Sequence, residues 1–165
     1  MKIVICSSIT FRNLYLEVAQ ELEENGIAVD MPELQKEMPV EQQKGDEQKE
    51  RTSIRGFFES QGGVDAFPSD HEIWKDKAQA MREHIERIDA GDAILVTNYD
   101  KNGIENYIGA NTFLEMFYAF LKKMPIYVLN PLPDMRCKEE LRGMQPTVID
   151  GDLSEIYGWK FHKLL

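Results

Sequence analysis

Short apolar runs alternate along the chain with longer segments of amphipathic spacing. Strand-forming residues predict strands near residues 2–6, 27–31, 93–96, 126–129 and 147–149. Apolar residues at i, i+3 and i+4 positions predict helices near residues 11–24, 69–89 and 113–121. A strand, a helix and a second strand in this order imply a right-handed crossover and parallel pairing. The pattern predicts an α/β fold, a flavodoxin-like or Rossmann-like parallel sheet of about five strands with helices on both faces.

The stretch between residues 32 and 68 differs in composition from the rest of the chain. It is rich in Glu, Gln and Lys, and its apolar residues are few apart from a patch that includes Phe57 and Phe58. We interpret it as a charged insertion within a single domain that spans residues 1–165. A solvated charged face explains this composition, while a lid or an oligomer contact docked through the two phenylalanines is the functional alternative.

Charge and cysteine content argue against several classes of protein. A net charge of −10 at pH 7 argues against a nucleic-acid polymer as partner, because phosphate backbones are bound by clustered Lys and Arg. No apolar run approaches the about 20 residues of a membrane span, and the N-terminus lacks the pattern of a signal peptide. The two cysteines, Cys6 and Cys137, form no CxxC pair, so no disulfide framework is expected. We therefore expect a cytoplasmic protein without a metal or another cofactor.

Polar side chains are concentrated where the predicted strands end. In parallel α/β sheets, ligands bind outside the carboxyl ends of the strands. The hydroxyl, amide and carboxyl groups at this edge, which suit a sugar or a nucleotide, belong to Ser7, Ser8, Thr10, Asn98, Asp100, Asn111, Thr112, Glu115 and Asn130. The chain has neither GxGxxG after the first strand nor GxxxxGK[ST], which disfavours a dinucleotide fold and a P-loop NTPase.

Glu115 is the only charged residue between positions 113 and 121 of a largely apolar helix. The spacing Thr112-x-x-Glu115 fits a capping box, which would satisfy two backbone donors at the helix start and give the residue a structural role. In the alternative interpretation, the same placement holds an ionised carboxylate at the mouth of a pocket. That carboxylate would act as a nucleophile or bind a polar substrate group.

Four segments resemble the nucleoside 2-deoxyribosyltransferase-like superfamily, which includes the 2′-deoxynucleoside 5′-phosphate N-hydrolases. They are KIVICSS (2–8), DAILVTN (92–98), YIGANTFLEMFYA (107–119) and KKMPIYVL (122–129). The resemblance covers the framework of strands and helices up to about residue 31 and again from about 73 to 129. The insertion and the C-terminal tail are not covered.

The resemblance implies a glutamate nucleophile that attacks the anomeric carbon of the sugar. In the family, a Gly-containing loop leads into a helix that carries a Glu with a small residue four places on, and Glu115 with Ala119 matches this pattern. Tyr107 and Gly109 belong to the same segment and would contact the substrate. The resemblance also implies a homo-oligomer whose neighbouring subunit can complete the site for a nucleoside or nucleotide.

The chain departs from the family at the second catalytic position. The family places an Asp eight residues before the Asp that opens the central strand, and counting back from Asp92 gives His84 here. An imidazole with a pKa of about 6.5 could act as general acid, whereas a packing residue on an apolar helix flank is the structural interpretation. Asp100 is a further candidate for the second carboxylate, and a turn-forming role is its structural alternative.

Together, the residues and the resemblance predict an N-glycosidase or deoxyribosyltransferase-like enzyme that acts on a (deoxy)nucleoside or nucleotide. Glu115 would be the nucleophile, and His84 or Asp100 would assist departure of the base. The first alternative is a non-catalytic nucleotide- or sugar-binding module on the same fold. The second is an oligomeric interaction protein in which Glu115 is only a helix cap.

Overall fold

The computed structural model describes residues 1–32, 58 and 62–158, in which strands alternate with helices. The strands are β1 (Lys2–Cys6), β2 (Ala28–Asp30), β3 (Ala93–Val96), β4 (Tyr99–Lys101), β5 (Ile104–Tyr107), β6 (Ile126–Val128) and β7 (Thr147–Val148). The α-helices are α1 (Arg12–Glu24), α2 (Ile73–Asp89), α3 (Ala110–Leu121), α4 (Lys138–Gly143) and α5 (Ser154–Tyr157). Among these residues, no helix has both the length and the apolar character needed to cross a bilayer. The chain divides into two compact units, whose described parts are 1–32 with 84–158, and 58 with 62–83.

Five strands of the first unit form one sheet in the order β2-β1-β3-β6-β7, and every neighbouring pair is parallel. The register sets Cys6 beside Val96, and Val96 beside Val128. The three central strands therefore end at the same edge of the sheet. The predicted α/β fold with a flavodoxin-like parallel sheet of about five strands is confirmed.

Side chains of β1 alternate between the two faces of the sheet, as the pleat of a strand requires. Val4 and Cys6 join a core with Met116 of α3, whereas Ile3 packs in a second core with Leu22 of α1. Helices therefore cover both faces, which explains why the central strands are continuously apolar rather than alternating. The same alternation directs Cys6 toward the face that α3 covers.

An antiparallel hairpin of β4 and β5 follows the central strand, where the polar sequence indicated only a loop. Asn102 and Gly103 turn the chain with φ values of 54° and 76°, and an Asn-Gly pair is the preferred sequence for such a tight turn. That dipeptide is the signal in the sequence that indicates this hairpin. Asp100 accordingly lies in a strand and not in a loop.

Helix α3 begins at Ala110 with Gly109 as its N-cap, earlier than a Thr112 cap requires. The backbone N–H of Phe113 donates to the carbonyl of Gly109 at 2.8 Å, so the helical hydrogen bonds start at that residue. Thr112 is buried within the first turn, and Glu115 lies in the second turn. The capping-box interpretation is therefore wrong, and the position of the carboxyl group must be explained by its tertiary contacts.

The second unit contains an aromatic cluster near the start of α2. Phe58 stacks on Trp74 with ring centroids 5.1 Å apart, and it meets Phe67 edge to face at 5.1 Å. The indole N–H of Trp74 donates to the carbonyl of Pro68 at 2.8 Å. Most of the predicted insertion at 32–68 lies outside the described residues, so its role and the assignment of a single domain stay predictions.

Candidate functional site

Three chemically reactive side chains from β1, α2 and α3 meet on one face of the sheet. Cys6 is the last residue of β1, while His84 and Glu115 come from the two helices. The Sγ atom of Cys6 lies 3.6 Å from Nε2 of His84, and the same nitrogen lies 3.6 Å from Oε2 of Glu115. The cluster therefore lies at the carboxyl end of β1, the edge at which parallel sheets bind ligands.

Burial sets the charge of this cluster. The pKa of His84 is lowered to about 4, mainly by burial and further by the positive charge of Arg87, with Asp30 acting in the opposite direction. Burial also raises the pKa of the Cys6 thiol well above its usual value, and the neighbouring Glu115 adds to this effect. At pH 7 the imidazole is therefore neutral and the thiol keeps its proton.

This arrangement limits the chemistry that His84 can perform. Its distance of 3.6 Å to the carboxyl oxygen of Glu115 is long for a hydrogen bond, although such contacts tighten when a substrate binds. A neutral imidazole is a poor acid toward a leaving base, but its N–H can orient a carboxylate. The side chain of Glu115 is 16% exposed, so part of it reaches solvent.

His84 and Glu115, which the sequence indicated separately as candidate catalytic residues, contact each other in the structure. Cys6 is a member of the cluster that carries no local signal, because a cysteine in an apolar strand behaves as a small hydrophobic residue. Only its place at the strand end, directly before the polar Ser7 and Ser8, distinguishes it from the rest of β1.

Asn98 and Asn130 bind each other and the neighbouring backbone. The side chain of Asn98 is fully buried, and its amide nitrogen donates to the carbonyls of Asn106, Asn130 and Pro131 at 3.2, 3.2 and 3.0 Å. Its Oδ1 accepts the backbone N–H of Asn130 at 2.9 Å, and the side chain of Asn130 donates to the carbonyl of Asn98 at 2.7 Å. These bonds tie β5 to the loops after β3 and β6, and they occupy the polar groups that the sequence indicated as ligand contacts.

A second polar cluster surrounds the ammonium group of Lys101 at the end of β4. This group donates to Oγ of Ser8 at 3.0 Å and to Oγ1 of Thr10 at 2.8 Å, and the Ser8 hydroxyl donates to Thr10 at 3.2 Å. The cation also lies 5.6 Å from the ring centre of Phe11 and 5.9 Å from that of Tyr107. Lys101 belongs to no motif in the sequence, and only the hairpin brings it beside the two hydroxyls.

The remaining candidates make local contacts or lie at the surface. The hydroxyl of Ser7 donates to the carbonyl of Thr97 at 3.0 Å. Asp100 is exposed and accepts the backbone N–H of Asn106 at 2.9 Å, which braces the hairpin. Asn111 is exposed in the first turn of α3. Roles for these residues in substrate binding or catalysis stay predictions.

Comparison with solved structures identifies a relative in fold. The chain is similar to a 2-deoxyribosyltransferase from the psychrotolerant bacterium Bacillus psychrosaccharolyticus. The two share 14% sequence identity and superpose with a TM-score of 0.56, over 99% of this chain and 96% of the other. No protein-family model and no curated protein matches the chain. The resemblance that the sequence motifs indicated is confirmed at the level of the fold.

Proposed function

We propose that this chain is an N-glycosidase or deoxyribosyltransferase that acts on the N-glycosidic bond of a (deoxy)nucleoside or nucleotide. The observation that carries the proposal is the position of Glu115, 3.6 Å from His84 at the ligand-binding edge of a sheet whose fold resembles that of a 2-deoxyribosyltransferase. A carboxylate that forms a covalent intermediate at the anomeric carbon is the chemistry that retaining cleavage of a glycosidic bond requires.

In the proposed reaction, a carboxylate oxygen of Glu115 bonds to C1′ of the sugar while the bond from C1′ to the base nitrogen breaks. The base leaves with that electron pair and takes up a proton, and water or an acceptor base then releases the sugar. His84 is a positioning residue in this scheme, because its neutral ring can hold the carboxylate but supplies no proton at pH 7. Asp100, whose side chain is exposed on β4, is the remaining candidate for proton transfer.

The cluster around Lys101 supports a nucleotide over an unphosphorylated nucleoside as substrate. An ammonium group beside the hydroxyls of Ser8 and Thr10 offers both charge and hydrogen bonds to a 5′-phosphate. Tyr107 contributes an aromatic face next to the cation. Because the whole chain has a net charge of −10, a local cation is needed to attract an anionic substrate to this edge.

An exposed apolar strip on α3 supports assembly into a homo-oligomer. The strip consists of Leu114, Phe117, Phe120 and Leu121, which are 51%, 46%, 44% and 61% exposed. Contiguous apolar surface of this kind marks a site of protein association. The strip shares α3 with Glu115, so a second copy bound there would lie near the carboxyl group.

Release of free base from deoxynucleoside 5′-monophosphates, with and without an acceptor base, tests the proposed function. Wild type should release base, and Glu115→Gln should lower kcat by at least about a thousandfold, because the amide keeps the shape but loses the nucleophilic charge. Glu21→Gln, a change of an exposed glutamate on α1, should keep full activity. An inactive wild type, or a fully active Glu115→Gln, would reject the proposal.

A non-catalytic nucleotide- or sugar-binding module is the second candidate function. It is favoured by one observation, which is that the position of the expected acid is held by His84, a neutral residue at pH 7. This function predicts that a deoxynucleoside monophosphate raises the Tm while no base is released. Calorimetry and the base-release assay on the same sample distinguish the two functions.

A further inference from the structure

Cys6, His84 and Glu115 carry the donor atoms of a metal site, although no spacing in the sequence indicates one. Each residue offers one ligand atom, and the three atoms all lie within 4.8 Å of one another. Thiolate sulfur, imidazole nitrogen and carboxylate oxygen are the ligands that zinc takes in proteins. We propose that this cluster binds one Zn²⁺ ion through Cys6 Sγ, His84 Nε2 and the Glu115 carboxylate, with the fourth coordination position open to water or a ligand.

Two of the three distances within the cluster are close to the edges of a zinc tetrahedron. Bonds of about 2.3 Å to sulfur and about 2.0 Å to nitrogen or oxygen, at angles of about 109°, separate S and N by about 3.5 Å and N and O by about 3.3 Å. Here Nε2 of His84 lies 3.6 Å from Sγ of Cys6 and 3.6 Å from Oε2 of Glu115. Small side-chain adjustments are therefore sufficient to enclose the ion.

The hydrogen bonding of His84 is an independent argument for a ligand at this point. The residue is 6% exposed, and its Nδ1 finds no hydrogen-bond partner among the residues that the structure describes. Its Nε2 lies 3.6 Å from both Sγ of Cys6 and Oε2 of Glu115, and the distance to the carboxyl oxygen is long for a hydrogen bond. A metal ion bound at Nε2 would lie between these two atoms and replace both weak contacts with bonds to the metal.

Binding of the ion changes the protonation of Cys6 but no oxidation state. Burial keeps the thiol protonated in the metal-free cluster. When Zn²⁺ binds, the sulfur releases its proton to the buffer and donates an electron pair to the metal.

Glu115 is the more exposed of the two helical ligands, with 16% of its side chain accessible against 8% for His84, so the ion enters from the carboxylate side. The bound ion would withdraw Glu115 from any attack on a sugar, so zinc inhibits the proposed glycosidase.

Cobalt is a direct probe of the site, because tetrahedral Co²⁺ bound to a thiolate absorbs strongly while Zn²⁺ is colourless. Full-length, tag-free protein stripped with EDTA is titrated with Co²⁺. We expect one ion per chain and a sulfur-to-cobalt charge-transfer band that Zn²⁺ abolishes. Cys6→Ala should lose the band, whereas Cys137→Ser, which removes the other free cysteine, should keep it.

A second variant covers the case in which Cys6→Ala does not fold. Glu115→Gln should keep the sulfur band and bind Zn²⁺ about tenfold or more weakly than wild type. A wild type without the band, a band that survives in Cys6→Ala, or an unchanged affinity in Glu115→Gln would overturn the proposal. None of these measurements involves a nucleotide, and the base-release assay runs in EDTA. Failure of the zinc site is therefore distinguishable from failure of the proposed function.

Discussion

Glu115 and His84 form a largely buried contact in which the imidazole carries no charge at pH 7. The two side chains are 3.6 Å apart, and the pKa of His84 is about 4. Protonation of the ring at pH 7 costs free energy, because burial removes it from water and Arg87 repels the charged form. The pair is therefore a polar contact that positions the carboxyl group, and not a permanent ion pair.

Asn98 is expected to contribute to stability more than to substrate binding. Asn98 is fully buried, and Asn98→Ala would remove the partner of several half-buried backbone groups, among them the N–H of Asn130 and the carbonyl of Pro131. Each hydrogen bond of this kind contributes about 0.5–1.5 kcal/mol net, and four are lost with the amide, so we expect the free energy of unfolding, measured in urea, to fall by about 2–4 kcal/mol.

Asn25→Ala is the matched control for this change. The side chain of Asn25 donates to one carbonyl, that of Glu21, at an exposed helix end, and its loss should cost about 1 kcal/mol or less. If Asn98→Ala were no more destabilising than Asn25→Ala but raised KM for a nucleotide, Asn98 would be a ligand contact and this expectation would be wrong.

The carboxyl group of Asp30 is expected to stabilise the folded protein only at pH values at which it is ionised. Its carboxyl group lies 2.8 Å from Nζ of Lys2 and 3.6 Å from Nε of Arg87. Burial acts to raise the pKa of Asp30, but the hydrogen bond and charge of Lys2, the backbone N–H of Met31 and the charge of Arg87 together outweigh it, and the pKa is lowered. The folded state thus holds its proton less firmly than the unfolded chain. The stabilisation is present above the unfolded pKa of about 3.9 and is lost as the pH falls through the lowered value.

Asp30→Asn should accordingly be less stable than wild type at pH 7, by up to about 1 kcal/mol, and the difference should shrink as the pH falls below about 4. Urea unfolding over a series of pH values measures this. Asp134→Asn, which breaks a fully exposed pair with Lys138, should leave the stability almost unchanged at every pH. A difference for Asp30→Asn that stays constant down to the lowest pH would contradict the assignment.

Two elements build the candidate site around the sheet, and both follow β3 along the chain. The β4–β5 hairpin sets Lys101 beside Ser8 and Thr10, and helix α3 sets Glu115 against His84. The hairpin and α3 follow the central strand directly in the chain. Residues 93–121 therefore contribute Lys101 to one polar cluster and Glu115 to the other.

The apolar strip on α3 leads to a prediction about assembly. Leu121→Glu and Phe117→Glu place a charge on a surface that is 61% and 46% exposed, so each variant should fold with little change in Tm. If a second copy covers the strip, both variants should shift the sedimentation coefficient toward that of a monomer, because an interface excludes an unpaired charge. Leu14→Glu changes an exposed leucine of α1, 42% accessible, and should leave the assembly intact. A wild type that is monomeric at all concentrations would contradict the prediction.

In the molecule as a whole, parallel pairing brings the two polar clusters to one edge of the sheet. Cys6, which contacts His84 in the first cluster, and Ser8, which contacts Lys101 in the second, are two positions apart in the chain. Their Cα atoms are therefore separated by at most about 7 Å. In the proposed function, the carboxylate of Glu115 would face the sugar and the ammonium group of Lys101 would face the phosphate of one nucleotide.

A nucleotide bound at this edge is expected to stabilise the entire fold. At a concentration of about 100 times Kd, a deoxynucleoside 5′-monophosphate should add about 2.7 kcal/mol to the free energy of unfolding, because it binds only the native state. Lys101→Met should remove most of the gain for the monophosphate, and Lys138→Met, on α4, should not. Scanning calorimetry measures both effects. No rise in Tm with any nucleotide would favour the interaction-protein alternative.

Much of the secondary structure was predictable from local pattern. The strand predicted at residues 93–96 coincides with β3, and the helix predicted near 11–24 corresponds to α1. The prediction failed at the β4–β5 hairpin and at the start of α3, where turn geometry and one backbone bond to Gly109 decide the outcome. Periodicity identifies the interior of an element well, but it says little about its ends.

The order of apolar and polar residues is sufficient to indicate the α/β class, the parallel sheet and the edge at which the polar candidate residues are concentrated, because each segment carries its own periodicity. The contact between Cys6 and His84 cannot be predicted from local pattern. The two residues are 78 positions apart, and only strand register and helix packing bring them together. Lys101 likewise contacts Ser8 only because the β4–β5 hairpin is folded. Such contacts between distant residues are absent from any local pattern, because they depend on the tertiary packing that brings these side chains together in the candidate site.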